Sequence, residues 1–229
     1  SVLTTHNETL IVQRPFRAPH HTISSIALIG GGANPMPGEV SLAHNGVLYL
    51  DELPEFNKTV LEVMRQPLED RQITIARAKN TVTYPSSLML VASMNPCPCG
   101  YYNHPSHPCV CSETQVRRYL GKVSGPLLDR IDLQIEILPL SFDEVSKTQT
   151  SEPSSVIRER VLKAREIQRV RFQEHPLIHC NAQMTPTLMR EHCQLDDKSL
   201  ALIKKANPKI KTDELNLKLE QMYNAGNKN

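Results

Sequence analysis

Residues 46–56 read GVLYLDELPEF. Val47, Leu48, Tyr49 and Leu50 make an apolar run of the length of a short buried strand, and two adjacent carboxylates, Asp51 and Glu52, close it. Open α/β sheets bind their ligands beyond the carboxyl ends of the strands, so an acidic pair at such an end suits a metal–nucleotide complex. Taken alone, the same pair is equally a strand end running into a turn. A nucleotide site also needs a phosphate cradle, G-x-x-x-x-G-K-[ST], and the 229 residues contain none. The nearest approach, Gly121-Lys122-Val123, has no Ser or Thr after its lysine and has Val116 where the first glycine belongs.

Working outward, "LMLVA" at 88–92 is a second continuous apolar run, the pattern of a strand buried on both faces. It ends at Ser93-Met94-Asn95, on the same sheet edge as Asp51 if the two strands are parallel neighbours. With the cradle missing, the sheet is expected to lack the strand that precedes a cradle as well, leaving one edge of the 46–50 strand exposed, with a risk of self-association. Between the two runs, Asn57 caps a helix through about Pro67, with Val60, Leu61, Met64 and Leu68 as its core stripe. "RQITIARAKNTVTYP" (71–85) then reads as a hairpin with Arg77 and Lys79 at its tip. Upstream, Ile26–Ile29 forms a short strand or helix turn ahead of a mobile loop marked by Gly30-Gly31-Gly32 and Pro35, Pro37 and Gly38. Downstream, Ser112 and Gln115 open a helix as a capping box. Leu133–Leu138 alternates as a further strand, and the helical patterns at 154–172, 185–193 and 196–206 make an all-α tail. A composition shift near Glu152-Pro153 separates an α/β part, 1–150, from a helical part, 151–229.

Composition bounds the class. Hydrophobic content of 39% and charged content of 22% are those of an ordinary globular protein. A net charge of +2 carries no argument for nucleic acid, which must rest on local patches. There is no run of membrane-spanning length and no signal-peptide pattern at the N-terminus, so the expectation is a cytoplasmic protein with no membrane partner.

Four of the six cysteines crowd into "CPCGYYNHPSHPCVC". Cys97, Cys99, Cys109 and Cys111 supply enough thiolates for a closed tetrahedral site, typical of structural Zn²⁺. His104 or His107 is a possible substitute for one sulfur, four reduced thiols in a loop is the bland alternative, and an iron–sulfur cluster is a minor third. Cys180 and Cys193 lie apart and read as ordinary thiols. Candidate phosphate contacts are Arg77 and Lys79, Arg117 and Arg118, and the helix bearing Arg158, Arg160, Lys163, Arg165, Arg169 and Arg171. Glu159 and Glu166 offset that helix, which reads first as a solvated face. The His20-His21 pair favours hydrogen-bonding roles over metal ligation.

Asp51 suits a Mg²⁺ ligand and Glu52 the group that orients the attacking water. Asn95 can hydrogen-bond a γ-phosphate or that water, although alone it is a common turn residue. Arg130, in "GPLLDRIDL", sits in a loop-like position from which a guanidinium can reach a neighbouring subunit's phosphate. Taken alone, it reads as a surface ion pair with Asp129 or Asp132.

Together, "RPFRAPHHTIS", "PGEVSLAHNGVLYLDELPEF", "LMLVASMNPCPCG" and "SGPLLDRIDL", in this order, resemble the magnesium-chelatase-like AAA+ ATPases of the ComM/YifB group, over roughly Arg14 to Ala206. The resemblance implies a partial P-loop-type parallel sheet core with a pre-sensor-1 hairpin and a cysteine-rich loop, followed by a small helical lid. It implies that Asp51 and Glu52 are the Walker B pair, that Asn95 is sensor 1 and that Arg130 is the arginine finger. It implies ATP and Mg²⁺ as cofactors of the complete protein, bound in part by Asp51 and Asn95. In that family the Walker A loop lies upstream of "RPFRAPHH", after a protease-like domain, so the chain is expected to be a fragment, inactive alone. Past Ala206 no arginine matches the family's sensor 2. The function so implied is a homo-oligomeric motor, a hexameric ring, that spends ATP on DNA, helicase-like, in branch migration during natural transformation. The alternatives are a chelatase-type remodeller of a protein partner during metal insertion, and a zinc-stabilised nucleic-acid-binding module with a degenerate ATPase core.

Overall fold

The structure is a computed structural model that describes residues 13–77, 81–137 and 152–206. The chain divides into two compact units, Ser1–Pro139 and Leu140–Asn229. The first is mixed α/β. Its elements run β1 (Phe16–Arg17), α1 (Ser25–Ile29), β2 (Gly30–Gly31), β3 (Met36–Pro37), α2 (Glu39–Leu42), β4 (Val47–Leu50), α3 (Lys58–Glu62), α4 (Arg65–Asp70), β5 (Gln72–Ala76), β6 (Thr81–Pro85), β7 (Met89–Ala92), α5 (Glu113–Leu120) and α6 (Gly125–Leu128). The described part of the second unit is helical: α7 (Ser154–Arg171), α8 (Pro186–His192) and α9 (Asp197–Ala206).

The centre of the first unit is a three-stranded sheet in the order β1-β4-β7, parallel throughout. The expected strand at 46–50 forms, but it is the middle strand, flanked on both sides. Among the described residues the open edges are therefore the outer sides of β1 and β7, not a side of β4. Close approach of β1 and β4 depends on Gly46, where an added Cβ would lie 2.0 Å from the Pro15 carbonyl oxygen while Val47 N–H donates to that same oxygen at 2.9 Å. Register pairs Leu48 with Leu90 and Leu50 with Ala92, so alternate residues share a face. On one face Leu48 and Leu50, fully buried, pack into a core with Leu28, Val40, Phe56, Leu61, Met64 and Leu127. Burial of each such side chain contributes about 1.5–3 kcal/mol. On the other face Phe16 and Met89 are 65% and 64% exposed, so β7 is covered on one face and not on two.

Local chemistry accounts for the elements around the sheet. Asn57 caps α3 by accepting from Thr59 N–H at 2.9 Å. The single helix expected through Pro67 is split at Val63–Met64, because Pro67 has no N–H to give the Val63 carbonyl. Ile26–Ile29 is helical, and the glycine-rich loop after it is a small antiparallel ribbon, β2–β3. The hairpin β5–β6 forms with Ile73 opposite Tyr84, and Tyr84 donates to the Pro35 carbonyl at 2.8 Å. Arg77 donates to the Gly32 carbonyl at 3.2 Å, whereas Lys79 lies outside the described residues. The strand expected at Leu133–Leu138 does not form over 133–137; Ile135 and Ile137 are exposed and pair with no strand among the described residues. Leu138 lies outside them.

In the second unit α7 spans the expected helix with no buried residue, its Arg160 paired with Glu152 and its Arg169 with Glu166. These pairs match the reading of that helix as a solvated, charge-balanced face. Among the described residues no helix is long and apolar enough to cross a membrane.

Candidate functional site

Because β4 and β7 run parallel and end together, Asp51 and Glu52 emerge beside Ser93, with Asn95 just beyond on the same edge. The backbone ladder continues past the strands: Ser93 N–H donates to the Leu50 carbonyl at 3.1 Å and Leu53 N–H to the Ser93 carbonyl at 2.9 Å. Asp51 is fixed by three donors onto one oxygen, Oδ1. They are the Ser93 hydroxyl, the Tyr49 hydroxyl at 3.2 Å and the Glu52 N–H at 3.1 Å. The Ser93 hydroxyl above all, with Tyr49 and the Glu52 amide assisting, holds the Asp51 carboxyl below the usual carboxylate range although burial works the other way. Among the described residues its other oxygen has no hydrogen-bond donor, which leaves it open to a cation.

Glu52 adopts the left-handed conformation, φ 54° and ψ 50°, and opens a 3-10 turn, Leu53–Glu55. Its Oε2 lies 3.6 Å from His21 Nδ1. The His21 ring is held in turn, 4.0 Å from the His20 ring and edge-on to buried Phe56. Sequence reasoning left His21 with an unspecified hydrogen-bonding role and missed Ser93 and Tyr49. Ser93 was readable from register, since pairing Leu50 with Ala92 sets the next residues, Asp51 and Ser93, side by side. Asn95 is exposed to solvent.

Arg130 is not brought to this edge. It follows α6 rather than lying in an open loop, and its guanidinium pairs with Glu69 of α4 at 2.7 Å, not with Asp129 or Asp132.

The four expected cysteines do converge. The sulfurs of Cys97, Cys99, Cys109 and Cys111 all lie within 4.8 Å of one another, with separations of 3.4 Å (97 to 99), 3.7 Å (97 to 109) and 3.6 Å (99 to 109). A tetrahedral ion with bonds near 2.3 Å sets its sulfur ligands about 3.8 Å apart, so the cluster has the dimensions of a closed site. Backbone N–H groups of Tyr101 and Val110 lower the Cys99 thiol to about 6. The Cys111 N–H works in the same sense on Cys109, but burial and the neighbouring sulfurs push it up to about 12. Burial first, then the same sulfurs, raise Cys111. A cation placed among the four sulfurs would favour the thiolate form of its ligands. His104 and His107 are engaged elsewhere, packed edge-to-face at 4.9 Å with the His107 ring stacked on Tyr101, and they do not join the thiols.

Next to the thiols, Ser112 and Gln115 make the expected capping box, with Ser112 N–H to Gln115 Oε1 at 2.8 Å, and start α5. Tyr119 of α5 is 6% exposed and meets the backbone of Asn95. Lys122, just past α5, reaches Glu55 at 3.5 Å.

Comparison with known proteins matches this architecture to one family along nearly the whole chain. Residues 1–145 match the family described as magnesium chelatase, subunit ChlI, and residues 151–213 the one described as magnesium chelatase, subunit ChlI C-terminal. Competence protein ComM of Haemophilus influenzae is 46% identical over 199 residues, covering 86% of this chain and 38% of that protein. YifB of Escherichia coli is 46% identical over 187 residues, covering 80% of this chain and 35% of its own length. The chain thus spans little more than a third of the curated relatives it matches. Among solved structures, NtrX from Brucella abortus in complex with ADP overlaps 51% of this chain and 23% of its own at 20% identity, with a TM-score of 0.35, too low to carry an argument.

Proposed function

Since the chain belongs to the magnesium chelatase ChlI family of AAA+ proteins, we propose that it carries one wall of an ATP-hydrolysing site and that the protein containing it is a ring-forming motor acting on DNA. The observation that supports the first part is the parallel β4–β7 pair, which sets Asp51, Glu52 and Asn95 on one edge, with three donors holding Asp51 as a carboxylate. The residues fit a metal–nucleotide: Asp51 for Mg²⁺, Glu52 for orienting the lytic water, Asn95 for the γ-phosphate or that water. Mg²⁺, when bound, neutralises charge on the phosphates; the chain's own residues fix the water and exclude wrong geometries. His21 steadies the Glu52 carboxylate, and the Ser93 hydroxyl fixes the Asp51 carboxylate through its Oδ1. Phosphate cradling belongs to residues outside these 229, in keeping with the chain's share of its relatives. Arg130 acts in trans, completing the site of a neighbouring subunit in a homo-oligomer, a hexameric ring, once its pairing with Glu69 is exchanged for the phosphate.

Zn²⁺ in the four-thiol cluster is part of the same reading, supported by sulfur separations close to those of a tetrahedral set and by the backbone N–H groups aimed at Cys99. The DNA assignment draws on the kinship with a competence protein. The test is ATP turnover by the protein that contains this chain, with branched DNA, single strands or neither. Stimulation by DNA, abolished by Glu52→Gln, is the expected result. Turnover indifferent to every DNA but raised by a protein partner would replace the DNA motor with a chelatase-type remodeller.

A further inference from the structure

We propose that the four-thiol cluster and α5 position Asn95, so that metal occupancy sets the competence of the hydrolytic site as well as the stability of a loop. The inference rests on the nucleotide and metal readings above and adds a coupling between them. Asn95 has no secondary structure of its own to hold it, since β7 ends at Ala92. Upstream it is anchored through Ser93, whose N–H bonds the Leu50 carbonyl at 3.1 Å and whose hydroxyl bonds Asp51. Downstream its anchor is Cys97, fully buried, in the sequence Asn95-Pro96-Cys97-Pro98. Proline fixes its own φ and restricts the residue before it, so Pro96 limits Asn95 and Pro98 limits Cys97. A displacement of Cys97 is therefore passed to Asn95 rather than absorbed between them.

The far side of the cluster returns to the same edge. Cys111 leads directly into Ser112, whose capping box starts α5, and α5 buries Val116 and Tyr119 against the unit. Past its end, Lys122 reaches Glu55 in the 3-10 turn that follows Glu52, and Leu53 of that turn bonds back to Ser93 at 2.9 Å. Burial raises the Tyr119 hydroxyl of α5, and the backbone of Asn95 works against that shift. The segments carrying Asp51, Glu52 and Asn95 and the two ends of the cluster thus form one closed circuit. The weakest link is the cluster itself, because without a cation its sulfurs are held to one another by loose thiol contacts, with backbone N–H groups acting on Cys99, Cys109 and Cys111.

The experiment has two arms. On this chain, hydrogen exchange is followed with Zn²⁺ bound, after chelation, and after reloading with Co²⁺, whose thiolate absorption reports ligation. Chelation is expected to raise exchange at Ser93 and Leu53 as well as in 97–111, to leave the β5–β6 ladder unchanged, and to be reversed by Co²⁺. In the protein that contains the phosphate cradle, Pro96→Gly is expected to retain the metal and its Co²⁺ spectrum while kcat falls by about tenfold or more, the scale of losing one preorganised donor. The KM for ATP should change less than about twofold, because binding and positioning are separated. Loosening confined to 97–111, or an unchanged kcat in the Pro96→Gly variant, would overturn the coupling. Elemental analysis showing no bound metal would overturn both the metal reading and this one. Turnover insensitive to Glu52→Gln would overturn the nucleotide reading, and the exchange arm, run without nucleotide, separates that failure from a failure of the coupling.

Discussion

Replacing Leu48 and Met89 by alanine, one at a time, asks whether the parallel sheet is covered on one face or two. Leu48 of β4 is fully buried and Met89 of β7 is 64% exposed, on opposite faces of neighbouring strands. Leu48→Ala loses the transfer energy of the deleted carbons, about 0.8 kcal/mol each, plus a cavity cost where the surrounding core cannot collapse, for a total of about 3–4 kcal/mol. Met89→Ala removes a side chain with roughly a third of its surface covered, worth about 0.5–1 kcal/mol. With a urea dependence of about 2 kcal/mol per molar, the unfolding midpoint of the first unit should drop by about 1.5–2 M for Leu48→Ala and by about 0.5 M or less for Met89→Ala. Urea titration followed by far-UV circular dichroism reads both. Equal midpoint shifts for the two variants would refute the one-sided sheet and mean that something covers the Phe16–Met89 face.

Ser93→Ala should raise the Asp51 pKa toward the ordinary carboxylate value, because the largest of its three stabilising donors is gone; NMR titration of the carboxyl checks it. The sign follows: the depressed folded-state pKa gives wild-type chain a contribution to stability present above the unfolded value and lost as pH falls through the folded one, and Ser93→Ala should flatten that dependence. Cys109→Ser should abolish stoichiometric Zn²⁺ binding by elemental analysis, and metal retained at full occupancy would show that three sulfurs suffice. In the complete protein, Arg130→Ala should lower turnover with little change in nucleotide affinity. Mixing that variant with Glu52→Gln subunits should restore part of the activity, since one kind of interface then holds both intact groups; mixed rings without restored activity would rule out action in trans.

The acidic strand end was legible because its signals are local: four apolar residues, then two carboxylates, with nothing else needed to name the strand. The capping box at Ser112 and the convergence of four crowded cysteines were legible for the same reason. Periodicity alone misled at three places. The stripe of Val60, Leu61, Met64 and Leu68 runs unbroken across two helices, although Pro67 cuts the hydrogen-bond ladder beneath it. Leu133, Ile135 and Ile137 alternate like a strand, but alternation specifies a face and supplies no partner, and none pairs with them among the described residues. The run at 88–92 is apolar throughout, as a strand covered on both faces would be, and the structure covers one. The contact of His21 with Glu52 had no signal at all, because it joins segments far apart in the chain through the meeting of β1 and β4.

That meeting of segments also limits what the chain can do by itself. Asp51 and Glu52 stand exposed at a strand end, and Asp51 is held ionised by its hydrogen bonds. Facing the phosphates of a nucleotide, two carboxylates repel unless Mg²⁺ lies between them and unless backbone N–H groups and a lysine carry the rest of the negative charge. The 229 residues contain no G-x-x-x-x-G-K-[ST] sequence to supply those groups. The lysine nearest in sequence to such a motif, Lys122, is committed to Glu55 at 3.5 Å. The arginine assigned to the transition state, Arg130, is paired with Glu69 in α4. The expected outcome for this chain alone is therefore no heat of Mg-ATP binding in calorimetry at micromolar protein and no phosphate release above background. Micromolar binding with turnover lost in Glu52→Gln would mean that backbone amides within 1–46, the glycine-rich β2–β3 ribbon foremost, cradle phosphate without the usual lysine. It would also move the cradle from outside these residues to the segment that β5 and β6 already hold in place.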